Sequence, residues 1–292
     1  MQTARVDLVL DAHAETGEGP VWDHRHRSLL WVDVTRGQVH RLDPTGGAER
    51  CMEVGQHTGA LALRARGGLV LAVRGGYAGF DLETEELEPI ADTEAARPTN
   101  RMNDGKVDAA GRFWAGSMAY REEGREGSLY RLDPDGSVTT VLTGIGISNG
   151  LGWSPENRVM YYIDSLAAGV DAFDFELGTG AISHRRRLID VAAEDGVPDG
   201  MTVDEEGCLW VALWGGGAVR RYTPDGTLDR TVEVPVRQVS CCTFGGADLS
   251  DLFITTAARG LSAEDLDRQR RAGGVFRHRP GVRGMPSVEF AG

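Results

Sequence analysis

The 292-residue sequence has no run of ~18 consecutive apolar residues, and its N-terminal MQTARVDLVLDAHAE lacks the basic-then-apolar-then-small order of a secretory leader. A soluble, cytoplasmic protein with no membrane partner is therefore expected. Basic runs are also missing. The brief RRRL at Arg185 to Leu188 reads as a solvated edge, and the formal net charge of −13 sets up a field that repels phosphate backbones, so no nucleic-acid partner is expected. Only four cysteines occur, Cys51, Cys208, Cys241 and Cys242, with no C-x-x-C pair and no His spacing of a zinc site. They read as reduced thiols, mostly buried. H-E-x-x-H does not occur, and His24 and His26 in DHRHR fit a polar loop. Helical periodicity is nearly absent too. No segment sustains i, i+3, i+4 spacing except SAEDLDRQRRA, Ser262 to Ala272, which is expected as an insertion.

What remains is a repeat. Six aromatic or apolar segments recur: LLWVDV, LVLAVR, RFWAGS, VMYYID, CLWVAL and LFITTA. A second strand follows each, introduced by small residues at Gly37, Gly75, Gly127, Ala168, Gly217 and, after the insertion, Gly273. Most then pass through a turn into a polar alternating segment such as SVTTVL, Ser137 to Leu142, as an outer edge strand would. The 40 glycines, spread along the chain, suit the many tight turns this requires.

Before each aromatic segment stands a short stretch that begins with a polar residue: Glu18, Thr58, Asp104, Asn149, Asp199 and Ser240, at intervals of 40, 46, 45, 50 and 41 residues. That period with four strands per unit predicts an all-β, six-bladed β-propeller of four-stranded antiparallel blades, a single domain over residues 1–292. Arg5 to Leu10 is left as a strand without a blade and is expected to pair with the sixth sheet, removing an exposed edge.

In a propeller the first strand of each blade lines the central channel, so residues just before these strands share one mouth. Glu18, Asp104 and Asp199 would meet there with the Asn149 amide, and acids that face one cavity repel unless a cation relieves them. Such an oxygen-rich donor set suits Ca²⁺, Mg²⁺ or Mn²⁺, with Zn²⁺ less favoured by ligand type. Each anchor could equally tie down a turn, and Asp199-Gly200 has the form of a common turn pair. Thr58 and Ser240 read as channel lining. Arg101 and Asn103 should reach over the same mouth, where they either grip a hydroxylated or carboxylated ligand or belong to a loop paired with surface acid.

Gly146-Ile147-Ser148-Asn149-Gly150 matches the serine-hydrolase elbow G-x-S-x-G, but that motif needs a helix after the Ser. Here Pro155 and a β-rich run follow, which sets Ser148 aside as a nucleophile.

The segments ETGEGPVWD, NRMNDGKVDAAGRFWAGSM, ISNGLGWS, YYIDS, VDAFDF and VPDGMTVDEEGCLWVA together resemble the regucalcin and gluconolactonase family of six-bladed propellers, from about Glu15 to the C-terminal EFAG. The resemblance implies one divalent metal ion held by Glu18, Asn149 and Asp199, substrate contacts from Arg101 and Asn103, and hydrolysis of sugar lactones with Asp199 as the catalytic base. One departure stands out. Where relatives carry acids after the GTMA-like segment, this chain reads GSMAYREEG, with Tyr120 and Arg121 in place and Glu122 displaced. Two other readings fit the same metal centre: a phosphotriesterase-like hydrolase, and a calcium-binding propeller without catalysis.

Overall fold

Each aromatic segment forms the second strand of a four-stranded antiparallel sheet: Ser28–Asp33, Leu69–Val73, Phe113–Ala119, Val159–Asp164, Leu209–Trp214 and Asp251–Thr256. Branched and aromatic residues fit these positions because both faces of the strand are covered by neighbouring blades. Trp31, Trp114 and Trp210 are wholly buried there. The computed structural model describes residues 6–46 and 48–292, arranged as six such sheets in a β-propeller. The expected closure is present: Asp7–Leu10 pairs antiparallel with Val275–His278 and becomes the outer strand of the sixth sheet. Arg5 lies outside the described residues.

The only helix assigned as α in the described residues, Ala263–Arg268, sits inside the sixth blade between its second and third strands. It is shorter than the sequence pattern suggests, and Ser262 caps it reciprocally with Asp265. No helix among the described residues is long and apolar enough to cross a membrane.

Two blades share a buried polar latch at the base of the innermost turn. Asp204 accepts hydrogen bonds from Trp210 Nε1 at 2.9 Å, Arg221 Nε at 2.8 Å and the Cys208 amide at 2.9 Å. Asp108 does the same with Trp114 Nε1 and Arg112 Nε, both at 2.7 Å. The D-x-x-G-x-x-W spacing in VDEEGCLW and VDAAGRFW therefore fixes the hairpin to the core tryptophan of its own blade.

The channel end remote from the six anchors is covered by the C-terminus, a feature not foreseen from sequence. Gly284 bridges to Asp204 and Phe290 to Arg64, and Met285 to Val288 line a cavity of ≈ 400 Å³ beneath the inner strands. Lys106, the only lysine in the sequence, enters that space and donates to the Met201 carbonyl at 2.6 Å.

Candidate functional site

The six anchors lie in the innermost strands, Gly17–Asp23, Thr58–Leu63, Asn100–Val107, Ser148–Trp153, Val197–Val203 and Val239–Gly245. This corrects the expectation that they precede those strands. In every blade the pairing register with the second strand breaks at or beside the anchor. A β-bulge bends the strand and redirects a side chain, here toward the channel axis. Asp199-Gly200 is accordingly not a turn. Pro198 pairs with Leu213 and Met201 with Val211, which leaves Asp199 and Gly200 in the break. The glycine serves close approach: a Cβ at Gly200 would stand 2.2 Å from Cys241 Sγ of the next blade, and one at Gly150 would stand 2.7 Å from the Asp199 carbonyl.

All six anchors are buried. The Glu18 carboxylate accepts from the Gly19 amide at 2.8 Å and that of Asp104 from the Gly105 amide at 2.7 Å. Burial, then the Asp104 charge, pushes Glu18 up to about 8. Burial, followed by the charges of Glu18 and Asp104, raises Asp199 well above the usual carboxylate range, with the Asn149 amide opposing. Asp104 is also raised, by desolvation, with Lys106 pulling the other way. The three acids thus sense one another across blades one, three and five.

Asn149 donates Nδ2 to Ser165 Oγ at 3.0 Å, and Ser165 donates to the Pro198 carbonyl at 2.7 Å, which fixes the amide beside Asp199. Above them, Asn103 donates to the Ser148 carbonyl at 2.8 Å, while Arg101 Nη1 donates to Asn103 Oδ1 at 2.6 Å and to the Met102 carbonyl at 3.1 Å. Of the two readings left open for Arg101, pairing with a surface acid is excluded: it is 5 % exposed and has no ion pair among the described residues. Burial and the nearby Arg259 lower it to about 10.

Two of the remaining anchors serve the scaffold. Ser240 donates to the Gly17 carbonyl at 2.5 Å and Thr58 to the Gln56 carbonyl at 3.1 Å. Sequence reasoning missed Cys241, whose buried thiol is raised by burial and then by the nearby Glu18 charge. Its only signal was its place next to the sixth anchor. All four cysteines are free, and Cys51 alone is exposed.

Ser148 is excluded as a nucleophile by its surroundings. Its Oγ accepts from Tyr162 at 2.7 Å, is fully buried, and has strand on both sides. Ser148→Ala should keep most of any hydrolytic activity while costing about 1 kcal/mol of stability, the net worth of one buried hydrogen bond. Loss of turnover in a folded Ser148→Ala protein would contradict this assignment.

The donor chemistry fits a hard divalent ion: buried carboxylate and amide oxygens that repel one another, with no imidazole among them. Among the described residues no three His, Cys, Asp or Glu side chains stand close enough to share one ion.

Residues 16–258 match the SMP-30/Gluconolactonase/LRE-like region. The chain belongs to this family. Regucalcin of Gallus gallus is 41 % identical over 299 aligned residues, spanning the whole of both chains. A regucalcin from Agrobacterium tumefaciens, described as a calcium-binding protein, superposes with a TM-score of 0.94 at 28 % identity over 99 % of each chain. A gluconolactonase from Xanthomonas campestris gives 0.77 at 26 % identity, over 94 % of this chain and 89 % of that one.

Proposed function

We propose that this family member is a divalent-metal-dependent hydrolase that opens sugar lactones. The observation that carries the reading is the buried set Glu18, Asn149 and Asp199 directly adjoining a buried Asn103 and a buried Arg101 that forms no ion pair among the described residues. Membership in a family that includes gluconolactonases supports the chemistry.

Glu18, Asn149 and Asp199 would hold the ion. It would supply positive charge that keeps Asp199 ionised and Lewis-acid stabilisation of the charge developing on the lactone carbonyl oxygen. Asp199 accepts a proton from the attacking water and returns it to the ring oxygen as the C–O bond breaks. One water is consumed and one hydroxy acid leaves. Arg101 and Asn103, each fixed by a backbone carbonyl or by the other, point donors at the sugar hydroxyls and so limit the poses the lactone can take. Lactones are activated esters, which makes a carboxylate of modest basicity sufficient.

A pH-stat comparison of aldonolactones with a phosphotriester, across Ca²⁺, Mg²⁺, Mn²⁺, Zn²⁺ and Fe²⁺, tests the substrate class. The lactones should be hydrolysed and the phosphotriester should not. Metal-dependent stabilisation with no lactone turnover would favour a calcium-binding propeller instead.

The raised carboxylates give a pH signature. A carboxyl whose folded pKa lies above its unfolded value binds more protons folded than unfolded. For Glu18 that window runs from 4.5 to about 8, so the metal-free protein loses stability as pH rises through it. Bound Ca²⁺ offsets the repulsion that appears there. The Tm gain on adding Ca²⁺ should therefore be larger near pH ~9 than near pH ~5, by the same linkage. A gain that does not change with pH would contradict the shared burial of these acids.

A further inference from the structure

The anchor face carries a second cluster that the lactonase chemistry does not use. In each blade the turn between the second and third strands emerges on this face. It is short in most blades and long in the third and sixth, where it spans residues 120–126 and 257–274. In a six-membered ring these two blades stand opposite each other. Their long loops meet: Arg259 Nη2 of the sixth blade pairs with Glu122 Oε1 of the third at 2.5 Å, so the pair spans the mouth.

Around it stand Arg74, whose guanidinium lies 5.8 Å from the Tyr120 ring centroid, and His57, whose ring is 5.2 Å from the same ring. Arg101 lies below, within electrostatic reach of Arg259, Glu122 and Glu18 together, which joins this rim to the acidic site. Arg74 and Arg101 have no carboxylate partner among the described residues, and His57 Nδ1 is buried without a hydrogen bond. The guanidiniums of Arg74, Arg101 and Arg259 thus gather at the mouth with Glu122 as the one ion-paired acid among them, while Glu18 lies toward Arg101 and Glu15 toward His57; the backbone holds Glu122 in the left-handed region at φ 59°. This cluster contains the Tyr120 to Glu122 segment of GSMAYREEG singled out in the sequence.

Resting on the lactonase reading above, we infer that the mouth selects lactones that retain a free carboxylate, the lactones of sugar diacids. The substrate carboxylate takes the place of Glu122 on Arg259, with Arg101 as its second donor and Arg74 adding charge at the rim. A guanidinium matches a carboxylate with two parallel hydrogen bonds, and the half-buried setting of Arg259 strengthens them. Glu122, a carboxylate already seated there, is the reason to favour a carboxylate over a phosphate.

The test compares the γ-lactones of saccharic acid and gluconic acid, which differ only in a terminal carboxylate against a hydroxymethyl group, together with the phosphate ester of gluconolactone, on the metal-loaded full chain. The saccharic acid lactone should have a kcat/KM at least about tenfold above that of the neutral lactone, the ratio equivalent to one charge-assisted contact. Arg259→Gln should reduce that ratio about tenfold, and Glu122→Gln, which frees Arg259, should raise it several-fold. Equal or faster hydrolysis of the neutral lactone, a preference for the phosphate ester, or an equal effect of both substitutions on both lactones would overturn the inference and leave the lactonase reading standing. No hydrolysis of any lactone would remove the lactonase reading and the inference together.

Discussion

Replacing Asp199 with alanine should reduce lactone kcat/KM by about a thousandfold, within the range a positioned general base contributes. It should also weaken divalent-ion binding by about tenfold or more, because affinity follows the charge count of the ligands. The substitution should leave the strand register intact, since the flanking pairs Pro198 with Leu213 and Met201 with Val211 do not use the Asp199 side chain. It also removes one of three mutually repelling acids, so the metal-free variant should be as stable as the parent protein or more so. Asp199→Asn separates the two roles. The amide keeps an oxygen for the ion but cannot take a proton, so binding should survive in part while turnover does not. A variant with full lactonase activity and Asp199 absent would sink the mechanism.

The second large effect falls on stability and lies far from the site. Asp204 is wholly buried and gathers Trp210, Arg221 and two turn amides. Asp204→Ala leaves the Arg221 guanidinium, itself 5 % exposed, with only the more exposed Glu206 and Asp229, and leaves the indole N–H without an acceptor. Removing one partner of a buried ion pair costs ~3–5 kcal/mol. The urea midpoint of this variant should fall accordingly, whereas Asp135→Ala, which removes an exposed turn acid, should change it little. A loss below ~1 kcal/mol for Asp204→Ala would contradict the role assigned to the latch.

The propeller was legible because its repeat is written in residues that only one architecture explains. Trp31, Trp114 and Trp210 recur in equivalent strands, and small residues open each following strand, so strand order and blade number could be read without a contact map. The anchors were legible for the same reason. Glu18, Asn149 and Asp199 are far apart in sequence yet equivalent in the repeat, and equivalence in a ring means proximity.

What was not legible depends on contacts between blades. The D-G pair at Asp199 has the local form of a turn, and only the packing of Gly200 on Cys241 of the sixth blade shows why a glycine is required inside a strand. Closure of the far channel end rests on Gly284 to Phe290 reaching back to blades two and five, a pairing that no periodicity announces. The bridge between Glu122 and Arg259 joins loops on opposite blades, and the sequence flagged only one end of it, through the change at Tyr120 and Arg121.

The most direct test is lactone hydrolysis followed in a pH-stat, using protein stripped of divalent ions by chelation and then resupplied with them. Hydrolysis of gluconolactone above the spontaneous rate should disappear on stripping, return on adding a divalent ion, and fail to return in Asp199→Ala. Undiminished hydrolysis by the stripped protein, or none with any ion, would contradict a metal-dependent lactonase built on Glu18, Asn149 and Asp199.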